Sequence, residues 1–197
     1  MLRRALSQSR AIQKLSTAAH RRALTASAPP PVTHDGEPAQ RTFIALKHDA
    51  LQRGLCGEIL ARFERRGLKP IALKLLQPTR ALAEAHYAEH REREFFERVC
   101  VFLSSGPVVA CVLEGRGVIS AARKMLGPTE TLDAPPGTIR GDYGVHWRRN
   151  LCHASDSEES AAREIALWFR EEELAPWDQT NAPWLYELPS SKIKFGE

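Results

Sequence analysis

The amino-acid sequence of 197 residues predicts an α/β sandwich, in which helices lie against one sheet. Apolar runs of strand character are interrupted regularly by helix patterns, in the order β-α-β-α-α-β-α-β-α. This spacing is typical of a split β-α-β arrangement. With 43% hydrophobic and 26% charged residues, the chain can form one globular domain with a sizeable core, together with some additional chain.

The first part of the domain contains two predicted strands on either side of a helix. The apolar run 42–46 predicts the first strand. A helix pattern follows and ends at Gly67, where basic residues precede the glycine. Ile71, Leu73 and Leu75 then alternate with other residues, which predicts a half-buried strand with these three side chains inward.

The middle of the domain contains two helices, a central strand and a third helix. Thr79 can cap a helix that continues to about residue 89, and apolar spacing predicts another helix over 95–106. The valine-rich run 107–113 predicts a central strand, and a helix over 117–125 follows it. The segment 127–142 is rich in proline and glycine and is predicted to be irregular.

The last two predicted elements are a strand and a helix. Tyr143, Val145 and Trp147 alternate with other residues, which predicts the final strand. Capping residues followed by apolar spacing predict a helix over 157–169. The remainder of the chain has no regular period.

Residues 1–40 differ in composition from the rest of the chain. They contain six basic and two acidic residues, whereas the remaining chain has 22 of each. The net charge of +4 therefore lies in this leader, and a neutral domain argues against nucleic acid as a partner. An amphipathic, basic, acid-poor leader is typical of a mitochondrial transit peptide, and its three consecutive prolines indicate a linker. The alternative is a basic tail that targets nothing.

The domain organisation predicted is a transit peptide and linker over 1–40, a folded domain over 41–187 and a C-terminal tail over 188–197. No run approaches the roughly 18 apolar residues of a membrane-spanning helix. The sequence does not distinguish the intermembrane space from the matrix. The four cysteines have no metal-site spacing, so we expect buried free thiols.

The common phosphate-binding and hydrolytic motifs GxxxxGK[ST], HExxH, CxxC and GxSxG are absent from the sequence. Polar residues suited to a polyphosphate nevertheless lie near predicted element ends or in the irregular segment. They are Lys47, Arg123, Thr129, Arg140 and Asn150. From the residues alone, these could form a phosphate site or could be unrelated surface charges.

His153 lies in the segment NLCHASDSEE, directly before a predicted helix start. A histidine in this position could be a metal ligand, a base, a nucleophile or a packing residue. A neutral histidine nitrogen beside Lys and Arg side chains could attack a phosphorus atom. The sequence pattern alone leaves these alternatives open.

Several segments resemble, in order, the signatures of the nucleoside diphosphate kinase family. They are RTFIALKHDALQRGL from residue 41, His86-Tyr87, SGPVVA at 105–110, MLG at 125–127, PGTIRGD at 136–142 and NLCHASDS at 150–157. The resemblance covers 41–187 and is closest to the short, hexameric, eukaryotic type. The leader, and Ala154 in place of the commoner glycine, are most similar to the mitochondrial members.

This resemblance implies a ferredoxin-like, four-stranded antiparallel sheet covered by helices. It also implies transfer of the γ-phosphate of a nucleoside triphosphate, mainly ATP, to nucleoside diphosphates. The transfer is of ping-pong type through a phosphohistidine and supports the synthesis of GTP, UTP and CTP. Mg²⁺ would be held mainly by the nucleotide phosphates and not by protein ligands. The resemblance further implies a homo-hexamer.

The resemblance also assigns catalytic roles to individual positions. His153 matches the nucleophile and Glu164 the residue that orients its ring. Ser155 matches a serine that touches the transferred phosphate. Tyr87 and Lys47 match residues close to the γ-phosphate.

Other positions match the nucleotide-binding residues of the family. Arg123, Thr129 and Arg140 match diphosphate contacts, and Asn150 matches a sugar contact. Phe95 matches the aromatic ring on which the base stacks.

Trp147 stands on the other side of the expected base slot, where a small or β-branched residue is usual, and Arg148 follows it. Glu187 matches a residue that approaches the base of a neighbouring subunit in hexameric members.

Several departures from the family pattern lead to further expectations. His48 replaces a proline after the lysine, which predicts a looser loop at Lys47. Together with Trp147 it gives the alternative function, a catalytically weakened binding or scaffold protein on the same fold. Thr131 replaces a subunit-contact proline. Glu92 interrupts a basic patch, which argues against peripheral membrane contact.

Overall fold

The computed structural model describes residues 39–187. The predicted transit peptide, almost all of its linker and the predicted tail over 188–197 lie outside the described residues. Within residues 39–187 no helix is both long and apolar enough to cross a membrane.

The core of the described chain is one sheet of four strands. These are β1 (Gln40–Leu46), β2 (Lys69–Leu76), β3 (Val108–Gly115) and β4 (Cys152–Ala154). Their order across the sheet is β2-β3-β1-β4, and every neighbouring pair is antiparallel. This topology confirms the predicted ferredoxin-like sheet.

Seven α-helices connect and cover the strands in the described chain. They are α1 (His48–Gln52), α2 (Cys56–Arg65), α3 (Arg80–His86), α4 (Phe96–Ser104), α5 (Val118–Leu126), α6 (Ile139–Tyr143) and α7 (Glu158–Trp168). Short 3-10 segments follow α3 and α7. Helix α1 was not predicted, because its five residues are too few to show an apolar period.

Alternate residues of β1 supply two hydrophobic cores on opposite faces of the sheet. Ile44 and Leu46 belong to the core that includes Phe63 of α2 and residues of α5. Phe43 and Ala45 belong to the core that includes residues of α4 and α7. Helices on both faces therefore bury β1 from Thr42 to Leu46, and β4, which pairs with β1, is held in the same sandwich.

The predicted position of the last strand was wrong. Tyr143 ends helix α6, and Val145 and Trp147 are 77% and 40% exposed in the loop that follows. The strand that completes the sheet is Cys152–Ala154. Thr138 caps α6 by accepting a hydrogen bond from the Gly141 amide, so the chain is helical where the alternation begins.

The alternation in β2 was also misleading. Ile71 is buried, but Leu73 and Leu75 are 57% and 64% exposed. The register shifts between Pro70 and Ala72, because a β-bulge adds one residue at Ile71. Strand β2 lies at the edge of the sheet, where its second face is uncovered, so the two leucines point away from the core.

Candidate active site

His153 lies in the middle of β4, where it pairs with Ala45 of β1. The chain then turns directly into α7, whose start is fixed by a capping box between Ser157 and Ser160. Glu164 is buried on α7 and faces back toward the strand. Sheet pairing on one side and a capped helix on the other therefore place the histidine and the glutamate together.

A chain of hydrogen bonds fixes the His153 ring. The Nε2 atom lies 3.0 Å from Glu164 Oε1. The Ser155 hydroxyl donates to Glu164 Oε2 at 2.6 Å and accepts from the Phe43 amide at 3.1 Å. Because a buried carboxylate can only accept, Nε2 carries the ring proton. The Nδ1 lone pair is then the available nucleophile, on a side chain that is 29% exposed.

Ser155 therefore acts on Glu164 in this structure. The residue is fully buried, and its hydroxyl proton is donated to the carboxylate. Its predicted contact with the transferred phosphate stays a prediction.

Lys47 follows β1 directly and reaches Asn150, whose side-chain oxygen accepts a hydrogen bond from Nζ. Both residues are buried. Burial lowers the pKa of Lys47, and the neighbouring Asp49 carboxylate opposes that shift. Two predicted site residues, far apart in the sequence, are thus in direct contact.

The backbone before β4 is held in an unusual conformation. Leu151 has a φ of +68°, which a branched side chain rarely adopts. Its amide donates to Asp49 Oδ2 at 3.0 Å, and its carbonyl accepts from the Lys47 amide at 2.8 Å. These two bonds tie the segment that carries Asn150 and His153 to the segment that carries Lys47.

Arg140 is buried and donates to three backbone carbonyls. Nε, Nη1 and Nη2 lie 3.3, 2.8 and 2.7 Å from the oxygens of Asn150, Gly127 and Cys152. Burial lowers the pKa of Arg140, and nearby Arg123 lowers it further. Each terminal nitrogen keeps one unused N–H, so the predicted phosphate contact stays a prediction.

Arg123 and Thr129 are more accessible than Arg140. Arg123 is exposed on α5 and makes no hydrogen bond or ion pair within residues 39–187. Thr129 is exposed in the following loop, and its carbonyl lies 3.5 Å from the Asn150 side-chain nitrogen. The structure therefore brings Thr129, Asn150 and Lys47 into one connected group.

Tyr87 directly follows α3, whose last residue is His86. The sequence pattern gave His86 no role. Burial raises the pKa of the Tyr87 phenol, so it stays neutral. Burial also holds the pKa of His86 well below its usual value. The Trp168 indole donates to His86 Nδ1 at 3.2 Å, and the His86 ring lies 4.7 Å from the ring of His153. A neutral imidazole thus packs against the candidate nucleophile.

His86, His153 and Glu164 are close enough in space to suggest a metal site. Their potential ligand atoms lie within 4.8 Å of one another. However, His153 Nε2 is engaged by Glu164, and His86 Nδ1 accepts from Trp168. Mg²⁺ prefers an octahedron of oxygen ligands, so these residues do not fit as its direct ligands.

Phe95 and Glu187, which were both predicted to contact the base, differ in burial and in their position in the fold. Phe95 directly precedes α4, is half-buried and has its ring 5.4 Å from that of His90. Glu187 is exposed at the end of the described chain. No hydrogen bond or ion pair joins Glu187 to the other site residues within that chain.

His48 is packed and does not extend into solvent. Its ring centroid lies 4.1 Å from that of Phe102, and burial lowers its pKa. The Lys47 amide and side chain are both hydrogen-bonded, as described above. The looser loop expected at Lys47 in the absence of proline stays a prediction.

A cavity of about 650 Å³ lies beside α5 and the start of α7. Its walls include Arg123, Lys124 and Ser157, but not His153. Arg123 is the only predicted site residue that lines it. The candidate nucleophile therefore lies outside this cavity.

The comparisons with known proteins identify the family of this chain. A family model described as nucleoside diphosphate kinase matches residues 40–174. The nucleoside diphosphate kinases of Gloeobacter violaceus and Synechococcus elongatus are 60% and 58% identical over 148 residues. Each alignment covers 75% of this chain and 99% of the relative.

Solved structures give the same result. A nucleoside diphosphate kinase family protein from Babesia bovis superposes with a TM-score of 0.73 at 47% identity. A halophilic nucleoside diphosphate kinase from Halobacterium salinarum, in complex with CDP, superposes with a TM-score of 0.73 at 45% identity. Each comparison covers 75% of this chain and 99% of the other. This chain belongs to the nucleoside diphosphate kinase family.

Proposed function

We propose that this protein is a nucleoside diphosphate kinase that transfers the γ-phosphate of ATP to other nucleoside diphosphates through a phosphohistidine at His153. The observation that carries the proposal is the 3.0 Å contact between His153 Nε2 and the buried Glu164 carboxylate. This contact directs the Nε2–H group of the neutral ring toward Glu164, leaves the Nδ1 lone pair available and keeps the ring in one orientation. A pre-oriented neutral imidazole is what a phosphoryl acceptor requires.

The reaction has two half-reactions of the same kind. In the first, the Nδ1 lone pair forms a bond to the γ-phosphorus, while the bond from that phosphorus to the β–γ bridging oxygen breaks. The diphosphate leaves, and the phosphate remains on His153. In the second, a terminal oxygen of a different diphosphate attacks the phosphorus, and the N–P bond breaks. The Glu164 carboxylate stabilises the positive charge that the ring acquires in each direction.

Positive charge around the transferred phosphate comes from Lys47 and Arg123. Lys47 is buried and fixed by Asn150, so its ammonium is already positioned before substrate binds. Arg123 is exposed and adapts to the diphosphate. Arg140 contributes through its two unused N–H groups, while its other bonds hold Asn150 and Cys152. A loose phosphoryl-transfer transition state needs such positioning and charge neutralisation more than covalent help.

The family generally uses a divalent cation, and we propose Mg²⁺ as part of the nucleotide substrate. Both oxygens of the Glu164 carboxylate are engaged, by His153 and Ser155, and Asp49 Oδ2 is engaged by the Leu151 amide. In this proposal the nucleotide phosphates would hold the cation. When bound, it neutralises charge that develops on the β- and γ-phosphates.

The nucleoside contacts are Phe95, Asn150 and Trp147 in this proposal. A half-buried aromatic ring offers a surface on which any base can stack, because every base has a π-face. The CDP complex of the Halobacterium relative supports nucleotide binding by this fold. Neutral charge on residues 41–197 supports the absence of a specific nucleic-acid partner.

We propose a homo-hexameric assembly, to which Glu187 contributes at a neighbouring subunit's base. Support comes from the edge strand β2, where Leu73 and Leu75 are 57% and 64% exposed. Exposed apolar side chains on an unpaired strand edge favour association with another chain. Sedimentation at micromolar concentration tests the assembly, and a monomer would contradict it.

We propose mitochondrial targeting by residues 1–40, on the strength of their basic, acid-poor composition. A fusion of these residues to a fluorescent protein is expected in mitochondria. A diffuse cytosolic signal would contradict targeting. Peripheral membrane contact is not part of this proposal, because Glu92 interrupts the basic patch.

Incubation with γ-labelled ATP tests the proposed function. The purified protein is expected to acquire an acid-labile, alkali-stable label that transfers to GDP. His153→Gln should remove the label, and His90→Gln, a histidine outside the reacting group, should retain it. An unlabelled wild type, or full labelling of His153→Gln, would support the alternative of a scaffold protein and contradict the kinase.

A further inference from the structure

The large aromatic side chain of Trp147 belongs to neither of the two hydrophobic cores. It lies in the loop between α6 and β4 and is 40% exposed. The His146 ring is nearly parallel to it, with centroids 6.1 Å apart. An exposed tryptophan that is held by neighbouring side chains is typical of a binding surface.

Two arginines place their guanidinium groups against this ring. The Arg148 and Arg98 guanidinium carbons lie 4.6 and 5.6 Å from the centroid of Trp147. Arg148 is in the same loop, and Arg98 comes from α4. Both are exposed, and neither guanidinium makes a hydrogen bond or ion pair within residues 39–187. A cation–π contact with the ring face uses no N–H donor in a hydrogen bond, so the donors of both guanidinium groups remain available.

This cluster lies next to the nucleotide residues proposed above. Arg98 follows Phe95 by three residues at the start of α4, so the two side chains lie on one face of the helix. Arg149 packs on Phe102 with its guanidinium carbon 4.2 Å from the ring centroid, and Lys47 Nζ lies 5.5 Å from the same centroid. The contacts therefore run from the phosphate side of the site to the loop that carries Trp147.

Resting on the proposed function, we infer that Arg98 and Arg148, held on Trp147, form a subsite for the edge of the base that prefers 6-oxopurine diphosphates. Arginine has only donors. Guanine and hypoxanthine present two adjacent acceptors, O6 and N7, which a forked guanidinium can contact together. Adenine places an amino donor at position 6, and cytosine places one at position 4, so each opposes an arginine at that atom.

The test uses the full-length protein after phosphorylation by ATP and removal of nucleotides. The second-order rate constant of dephosphorylation is measured for GDP, IDP, ADP and CDP. We expect the rate constants for GDP and IDP to be about fivefold larger than the rate constant for ADP. This ratio corresponds to the lower end of the base discrimination that one bidentate contact contributes at an exposed site. IDP matters because it has O6 and N7 but lacks the guanine 2-amino group.

The variants Arg98→Ala and Arg148→Ala should each reduce this preference, and the double variant should abolish it. Arg98→Lys and Arg148→Lys keep the charge but lose the fork, so the double lysine variant should also lose the preference. Arg66→Ala, an exposed arginine on the far end of α2, is the matched control and should retain it. Circular dichroism verifies that each variant is folded.

The two proposals fail in different ways. Failure of wild-type protein to accept label from ATP would overturn the proposed function itself. Normal labelling, with equal rate constants for the four diphosphates, would overturn the subsite and leave the kinase intact. A preference that survives in the double alanine or double lysine variant would also overturn it.

Discussion

The contact between Glu164 and His153 predicts a specific kinetic defect in Glu164→Gln. The glutamine keeps the size of the side chain but removes the negative charge that faces Nε2 at 3.0 Å. The Glu164 side chain is only 3% exposed, so water does not replace the lost charge. A hydrogen bond to a charged group contributes about 1.5 kcal/mol more than a neutral one, which corresponds to roughly tenfold in rate.

The assay is rapid-quench measurement of His153 phosphorylation at saturating ATP. We expect the rate constant of Glu164→Gln to fall roughly tenfold, because the ring acquires positive charge as the N–P bond forms. Glu159→Gln, at an exposed position near the start of α7, is the control and should react like the wild type. Equal rates for wild type and both variants would refute the electrostatic role of Glu164.

Three further predictions concern groups behind the site. Asp49→Asn removes the negative charge that supports protonation of Lys47, so the pKa of Lys47 falls further. The alkaline limb of the pH–rate profile should therefore move to lower pH, and an unmoved limb would contradict this prediction. Buried His86 resists protonation, whereas the unfolded chain binds that proton below about pH 6.5, so the free energy of unfolding falls as pH drops. His86→Gln should reduce this slope between pH 7 and 5.5, by at most about 1.4 kcal/mol per pH unit in urea titrations, and an identical slope would disprove it. In Gly141→Ala the added Cβ would overlap the Pro135 carbonyl, so we expect the free energy of unfolding to fall by about 2 kcal/mol. Thermal unfolding measures this change, and a stability equal to that of the wild type would contradict the described turn.

The long elements were predictable because their residues repeat a pattern over enough length. Strand β1 and helix α7 were placed within a few residues of their observed positions. Strand β4 could not be predicted, since three residues carry no measurable alternation. The bulge at Ile71 reversed the faces of the following leucines, and a bulge depends on pairing that a local pattern does not contain.

In the site, as in the fold, features within one short segment could be predicted, whereas contacts between separate elements could not. His153 and its helix start were recognisable from one short segment. Arg140 donates to three carbonyls 10 to 13 positions away, and the Ser155 hydroxyl donates to Glu164 9 positions away. Both roles depend on how separate elements pack, which a local pattern does not contain. The contact between Arg98 and Trp147 joins residues 49 positions apart, which no motif connects.

The central claim is that His153 accepts the phosphate on Nδ1, because Glu164 occupies Nε2. Heteronuclear NMR of the phosphorylated protein, with ¹⁵N-labelled histidine, measures the coupling between phosphorus and each ring nitrogen directly. We predict one phosphohistidine with the phosphorus coupled to Nδ1 of His153. Coupling to Nε2, or a phosphate on any other residue, would contradict the account.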